Sequence, residues 1–186
     1  GGRVFSNGLD LNYLTGATEQ ERATFLYEIQ LMARRLLLLP FPTVAAINGH
    51  AFAGGAVLAF CMDYRVMRTG RGFLCFPEVS LGLPFPPPLA TLLGVKMSPN
   101  NVRELMLLGR RISADNGVEM QVIDVAADAA AVLPKAIQLA KDAAPPGADR
   151  DAFREIKLAA YGVPAQAMLV RPTSDDPLLV GMRSRL

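Results

Sequence analysis

The run Ile47-Asn-Gly-His-Ala-Phe-Ala-Gly-Gly-Ala-Val-Leu-Ala-Phe60 constrains this chain more than any other, because it sets three glycines and an asparagine inside the most apolar part. Thr43 to Ile47, just before it, is β-branched or apolar throughout, which suits a strand buried on both faces. Ala56 to Met62, at its end, reads as a helix. A strand, a turn and a helix in that order leave free backbone N–H groups at the helix N-terminus. Glycine there removes Cβ and lets another group approach the backbone closely. Such an N–H can donate to an oxygen that becomes anionic during a reaction, or the glycines can serve only close helix–strand packing. Gly49 and Gly54 also match the glycine spacing of a phosphate-binding loop, but Gly55-Ala56 stands where that loop needs Lys-Ser/Thr. On this stretch alone, packing and donation both remain open.

A second stretch favours donation. Phe5-Ser-Asn-Gly-Leu-Asp-Leu11 is a turn followed by an acidic residue, another place where a backbone N–H can be presented. Two such donors facing one point would form an oxyanion hole.

Around these stretches the pattern alternates. Thr18 and Glu21 have capping-box spacing, and Phe25, Ile29, Met32 and Leu36 recur at helical intervals up to Pro40. Tyr64 to Met67 and Phe73 to Phe76 are strand candidates, and Val122 to Val125 is a further one. A helix is expected from Pro99 to Leu108, and Ser113 should cap a short one ending near Gln121. The last helical patterns, Ala129 to Ala143 and Asp149 to Tyr161, flank a Pro145-Pro-Gly147 break. Strands and helices therefore alternate first and helices dominate later, an α/β chain with a helical C-terminal region. We expect a core over residues 1–125 and the helical region over 126–186.

Composition narrows the partners. The chain has 186 residues, 51% of them hydrophobic, which is enough for one domain with a substantial core. A net charge of +2 with scattered basic residues speaks against a nucleic-acid or membrane-surface binder and for a small-molecule partner. Val44 to Met62 is almost long enough for a membrane span, but Asn48, Gly49 and His50 interrupt it. Cys61 and Cys75 lack metal-ligand or CxxC spacing and read as reduced core thiols, so no metal site is expected.

Phe5-Ser-Asn-Gly-Leu-Asp-Leu11, Ala46-Ile-Asn-Gly-His-Ala-Phe-Ala-Gly-Gly55, Cys61-Met-Asp-Tyr-Arg65 and Phe76-Pro-Glu-Val-Ser-Leu-Gly82 resemble the ordered motifs of the crotonase (enoyl-CoA hydratase/isomerase) superfamily. The resemblance implies a ClpP-like spiral of ββα units, usually assembled as homotrimers or hexamers. It also implies a core lacking the strands that precede the Phe5–Leu11 motif in the family. Carried over by motif, the N–H groups of Leu9 and Gly54 would hold the thioester oxygen of an acyl-CoA, with coenzyme A as part of the substrate and no separate cofactor.

Hydratases of that family use two glutamates. Here Val57 occupies the first position and Glu78 the second. One carboxylate suits Δ3,Δ2-enoyl-CoA isomerisation, in which a base removes a proton from C2 and returns it to C4 of a planar dienolate. Within the superfamily the likeness is greatest to peroxisomal isomerases of plant type. Val57, Leu83 and Phe85 would line the acyl pocket, with the Leu83-Pro-Phe-Pro-Pro-Pro88 turn stiffening its wall. The alternatives are a hydratase or acyl-CoA thioester hydrolase that uses Glu78 alone with water, and a non-catalytic crotonase-fold subunit that supplies only oligomer contacts.

Other candidates rank lower. His50 is the sole histidine and precedes the helix, and Arg34, Arg35, Arg110 and Arg111 could meet CoA phosphates but fit solvated helix faces as well. Ser6, Ser80 and Ser113 have no evident His/Asp partners. The final tripeptide Ser184-Arg185-Leu186 differs by one conservative change from the Ser-Lys-Leu address read by the peroxisomal import receptor, so peroxisomal localisation is expected.

Overall fold

A computed structural model describes residues 2–145 and 149–183. The chain runs through β1 (Val4–Ser6), α1 (Leu11–Gly16), α2 (Glu19–Leu37), β2 (Val44–Ile47), β3 (His50–Phe52), α3 (Gly54–Cys61), β4 (Tyr64–Arg68), β5 (Leu74–Cys75) and α4 (Glu78–Leu81). It continues through α5 (Pro87–Lys96), α6 (Pro99–Asn101) and α7 (Ala114–Glu119) to β6 (Val125–Ala127). Helices α8 (Val132–Asp142), α9 (Arg150–Ala160), α10 (Gly162–Ala167) and α11 (Pro177–Arg183) complete it.

The strands form two parallel sheets, in the orders β1-β3-β5 and β2-β4-β6. Each turn of chain contributes one strand to each sheet and then a helix: β2, β3, α3, followed by β4, β5, α4. Successive turns stack in register, Val44 on Tyr64 through Ile47 on Met67 in one sheet and Ala51 on Leu74 in the other. This is the expected spiral of ββα units. The strand residues at its centre are apolar because both faces are covered there, and Ile47, Ala51, Val66, Met67 and Leu74 are all inaccessible to solvent.

The glycine-rich run holds more structure than its composition suggests. Asn48 and Gly49 link two strands, β2 and β3, so the turn does not lead directly into the helix. His50 to Phe52 is too short to read as a strand alone; pairing with both β1 and β5 makes it one.

Helix α2 begins at the expected capping box, with the Thr18 N–H donating to Glu21 Oε2 at 2.7 Å and the Glu21 N–H to Thr18 Oγ1 at 3.3 Å. Its deepest face is Ala23, Leu26, Gln30, Ala33 and Leu37, a different face from the Phe25, Ile29, Met32, Leu36 stripe. Phe25, Ile29 and Met32 instead line a cavity, and Met32 is 46% exposed.

Other expectations shift. The helix expected from Pro99 to Leu108 is α6 followed by a π-helical turn over Val102–Leu107, and this wider turn packs against α4. The strand expected at Val122 begins at Val125, because the N–H groups of Val122 and Ile123 both turn back to the Gly117 carbonyl, at 2.8 and 2.9 Å. Ser113 and Asp149 cap α7 and α9 through the N–H groups of Asn116 and Ala152. The proline run after Leu83 does more than stiffen a turn, since Pro87 opens α5. Pro146 and Gly147 of the expected break lie outside the described residues.

The later helices return to the spiral, α10 onto α5 and α11 onto α2. Lys157 on α9 pairs with Asp63 at 2.7 Å, and Asp63 also accepts from the N–H and hydroxyl of Thr43. Cys61 and Cys75 are free and buried, and burial pushes the Cys61 thiol up to about 12. Among the described residues no helix is long and apolar enough to cross a membrane.

Candidate active site

The turn after β1 and the start of α3 meet backbone to backbone. The Gly8 N–H donates to Ser6 Oγ at 3.2 Å, and Gly8 takes φ +87°, a left-handed conformation that costs glycine least. Asp10 then caps α1, its Oδ1 accepting from Asn12 and Tyr13 at 3.0 and 3.2 Å. Across from this turn, Ala53 adopts φ 50° and ψ −126°, held by its N–H to the Cys75 carbonyl at 3.0 Å. Its carbonyl receives the N–H groups of Ala56 and Val57 at 2.9 and 3.1 Å.

Those bonds leave Gly54 as the first residue of α3. Neither its N–H nor that of Leu9 donates to an acceptor among the described residues. The two residues are close neighbours, for a Cβ placed on Gly54 would lie 3.6 Å from the Leu9 nitrogen. Both line a cavity of about 410 Å3, so two unpaired donors border one space.

Glu78 opens α4 on the wall of the same cavity. Its Oε2 is buried with no hydrogen-bond partner among the described residues. Burial pushes the carboxyl from an ordinary value near 4.5 up to about 7, against a smaller lowering by its own backbone N–H. Val57, only 5% exposed, together with Leu83 and Phe85, adds apolar surface to this wall, and Phe85 rests edge-on against Phe76 at 5.8 Å. Asp10 also borders the cavity, but its Oδ1 is occupied by the α1 cap. The space thus combines two N–H donors, a carboxyl raised toward neutrality by burial and largely hydrocarbon walls, an arrangement able to move a proton beside a developing oxyanion.

The structure therefore brings Leu9, Gly54, Val57, Glu78, Leu83 and Phe85 together. It does not bring His50, whose ring lies beside Phe52 and Phe73 while its Nδ1 accepts from the Phe73 N–H at 3.3 Å. Arg34 donates to the Ala165 carbonyl at 3.1 Å, Arg110 pairs with Glu104 at 3.6 Å, and Arg111 lies over the Phe52 ring. No lysine or arginine is among the described residues lining the cavity. Ser6 and Ser113 are occupied in turns and caps. Among the described residues, no cluster of three His, Cys, Asp or Glu could hold a metal.

Sequence reasoning missed Gln30, and also Leu178 and Met182, which α11 brings to the cavity. Gln30 had a signal: it interrupts the apolar series Ala23, Leu26, Ala33, Leu37 at helical spacing. Leu178 and Met182 had none, because their place depends on how α11 folds back.

The enoyl-CoA hydratase/isomerase family profile matches residues 1–161. The chain is 38% identical over 132 residues to the peroxisomal enoyl-CoA delta isomerase 2 of Arabidopsis thaliana, covering 68% of this chain and 55% of the relative. To the peroxisomal enoyl-CoA delta isomerase 1 of the same plant it is 34% identical over 158 residues, covering 84% and 65% respectively. The chain thus spans between about half and two thirds of the length of these curated relatives. Its structure resembles a crystal structure of an enoyl-CoA hydratase from Mycobacterium ulcerans Agy99, with a TM-score of 0.80 at 26% identity, covering 98% of this chain and 76% of the other. With the motifs and the spiral in agreement, the chain belongs to the enoyl-CoA hydratase/isomerase family of the crotonase superfamily.

Proposed function

We propose that this chain catalyses Δ3,Δ2-enoyl-CoA isomerisation, converting a 3-enoyl-CoA to the trans-2-enoyl-CoA in the β-oxidation of unsaturated fatty acids. The observation that carries the reading is Glu78: a buried, unpartnered carboxyl raised to about 7 inside a largely apolar cavity, with Val57 where a hydratase would hold its second carboxylate.

The thioester oxygen sits between the N–H groups of Leu9 and Gly54. Ionised Glu78 takes a proton from C2, and the electrons of that C–H bond delocalise through the C3–C4 double bond and the carbonyl as a dienolate. The two N–H groups stabilise the oxygen that gains charge, each typically worth about 3–4 kcal/mol of barrier. Protonated Glu78 then delivers the proton to C4, the double bond settles between C2 and C3, and the carboxylate is regenerated. C2 and C4 present the same face of a planar system, so one carboxyl serves both steps. A pKa of about 7 suits it to act as base and then as acid near neutral pH. Val57 withholds a second water-activating group, and the apolar walls disfavour hydration of the intermediate.

The test is ultraviolet absorbance of a 3-enoyl-CoA with the protein, together with the mass of the product. Conjugation without added mass is the expected result. A product heavier by one water would mean hydration, release of free CoA would mean thioester hydrolysis, and binding without product would remove the assigned chemistry. Peroxisomal localisation and assembly into a trimer or hexamer belong to the same reading; the peroxisomal names of the two Arabidopsis relatives support the former. Ser184, Arg185 and Leu186, which the import receptor would read, lie outside the described residues.

A further inference from the structure

Gln30 lies on α2 between Leu26 and Ala33 and is 1% exposed. It borders the cavity that holds Glu78. Its Oε1 is buried and accepts no hydrogen bond from any described residue. Glu78 Oε2 shares that condition, and there the proton transfer supplies a reason. Proton transfer gives Gln30 no role.

A buried acceptor left unpaired costs about 1–3 kcal/mol, and a leucine or methionine would fill similar volume without that cost. The surrounding wall is apolar, with Phe25, Leu26, Ile29 and Ala33 from the same helix. A polar side chain kept in such a wall is explained if what enters the cavity supplies the missing partner. A carboxamide offers an acceptor and two donors, so a hydroxyl, which both donates and accepts, complements it. A charged group does not: burying an ion beside a neutral amide costs far more than the bond returns, and no lysine or arginine among the described lining residues would balance an anion.

We propose that Gln30 is a specificity-determining residue that hydrogen-bonds a hydroxyl on the acyl chain, beyond the reacting carbons, so that the cavity favours hydroxylated acyl-CoA thioesters over plain hydrocarbon ones of equal length. The proposal rests on the acyl-CoA reading of the cavity. A plain chain leaves the Gln30 oxygen without a partner, as it is in the free protein; a hydroxyl at the right depth supplies one.

The test is calorimetric titration of the protein with decanoyl-CoA and with monohydroxylated decanoyl-CoA isomers, the hydroxyl moved one carbon at a time along the distal half of the chain. These saturated thioesters cannot be isomerised, so only binding is read. At one position the hydroxyl should tighten binding by about tenfold over decanoyl-CoA. Gln30→Met and Gln30→Leu should abolish that preference, bind decanoyl-CoA no more weakly than the parent does, and melt no lower than the parent. Equal binding of all isomers by the parent, or a preference that survives both substitutions, would overturn the role of Gln30 and leave the isomerase reading standing. Failure of the parent to bind any of these thioesters would overturn both.

Discussion

A Cβ at position 8 would lie 2.6 Å from the amide nitrogen of Gly54. The turn after β1 and the first residue of α3 are in backbone contact, and that contact sets the spacing of the two N–H donors. Any side chain at Gly8 must push them apart, and its φ of +87° strains every other residue as well. Gly8→Ala should therefore lower kcat by about a hundred- to a thousandfold, the loss associated with one oxyanion donor, while the far-ultraviolet circular dichroism stays that of the parent. An unchanged kcat would detach the turn from the chemistry.

Glu78→Gln keeps the size of the side chain and removes its ability to carry a proton. Isomerisation should fall by about two to four orders of magnitude, the usual contribution of a positioned acid–base group. Titration with decanoyl-CoA should show binding largely intact. Retained turnover would remove Glu78 from the mechanism.

Burial raises the Glu78 carboxyl from near 4.5 to about 7, so activity and stability should respond to pH in opposite directions. kcat/KM should climb as pH rises through about 7 and the base ionises. Between those two values the folded protein holds a proton that the unfolded chain has released, so its stability contribution is complete below about 4.5 and lost by about 7. The loss is on the order of 3 kcal/mol. Chemical denaturation at a series of pH values should show this decline in the parent and a flatter profile in Glu78→Gln.

The Lys157–Asp63 pair, with side chains 7% and 16% exposed, lies away from the cavity and fastens α9 to the turn before β4. Lys157→Met leaves Asp63 buried without its cation, a loss that typically costs about 3–5 kcal/mol. The expected result is a lower melting temperature with an unchanged kcat/KM per folded molecule. A change in kcat/KM would mean that α9 influences the cavity.

Much of the fold could be read from local signals, because those signals act over a few residues. Thr18 and Glu21 close a capping box within one turn, and Ser113 caps α7 in the same way. β2 is apolar enough to announce burial on both faces. β1 and β3, by contrast, have three residues each and little character of their own; they are strands because parallel partners complete their hydrogen bonds. On α2 the bulky residues Phe25, Ile29, Met32 and Leu36 suggested one buried face, yet the deepest residues are Leu37, Gln30, Leu26 and Ala33, while Phe25, Ile29 and Met32 are left to line the cavity.

The site divides along the same line. Motif order and residue type, matched to the family they resemble, nominated Leu9, Gly54, Val57, Glu78, Leu83 and Phe85. Tertiary structure alone decided that these residues share one cavity, that Glu78 is desolvated enough to rise to about 7, and that Gln30 stands among them with an unpaired oxygen. The reason is physical: capping and periodicity depend on neighbours along the chain, whereas desolvation and an orphaned polar atom depend on what distant segments place around it.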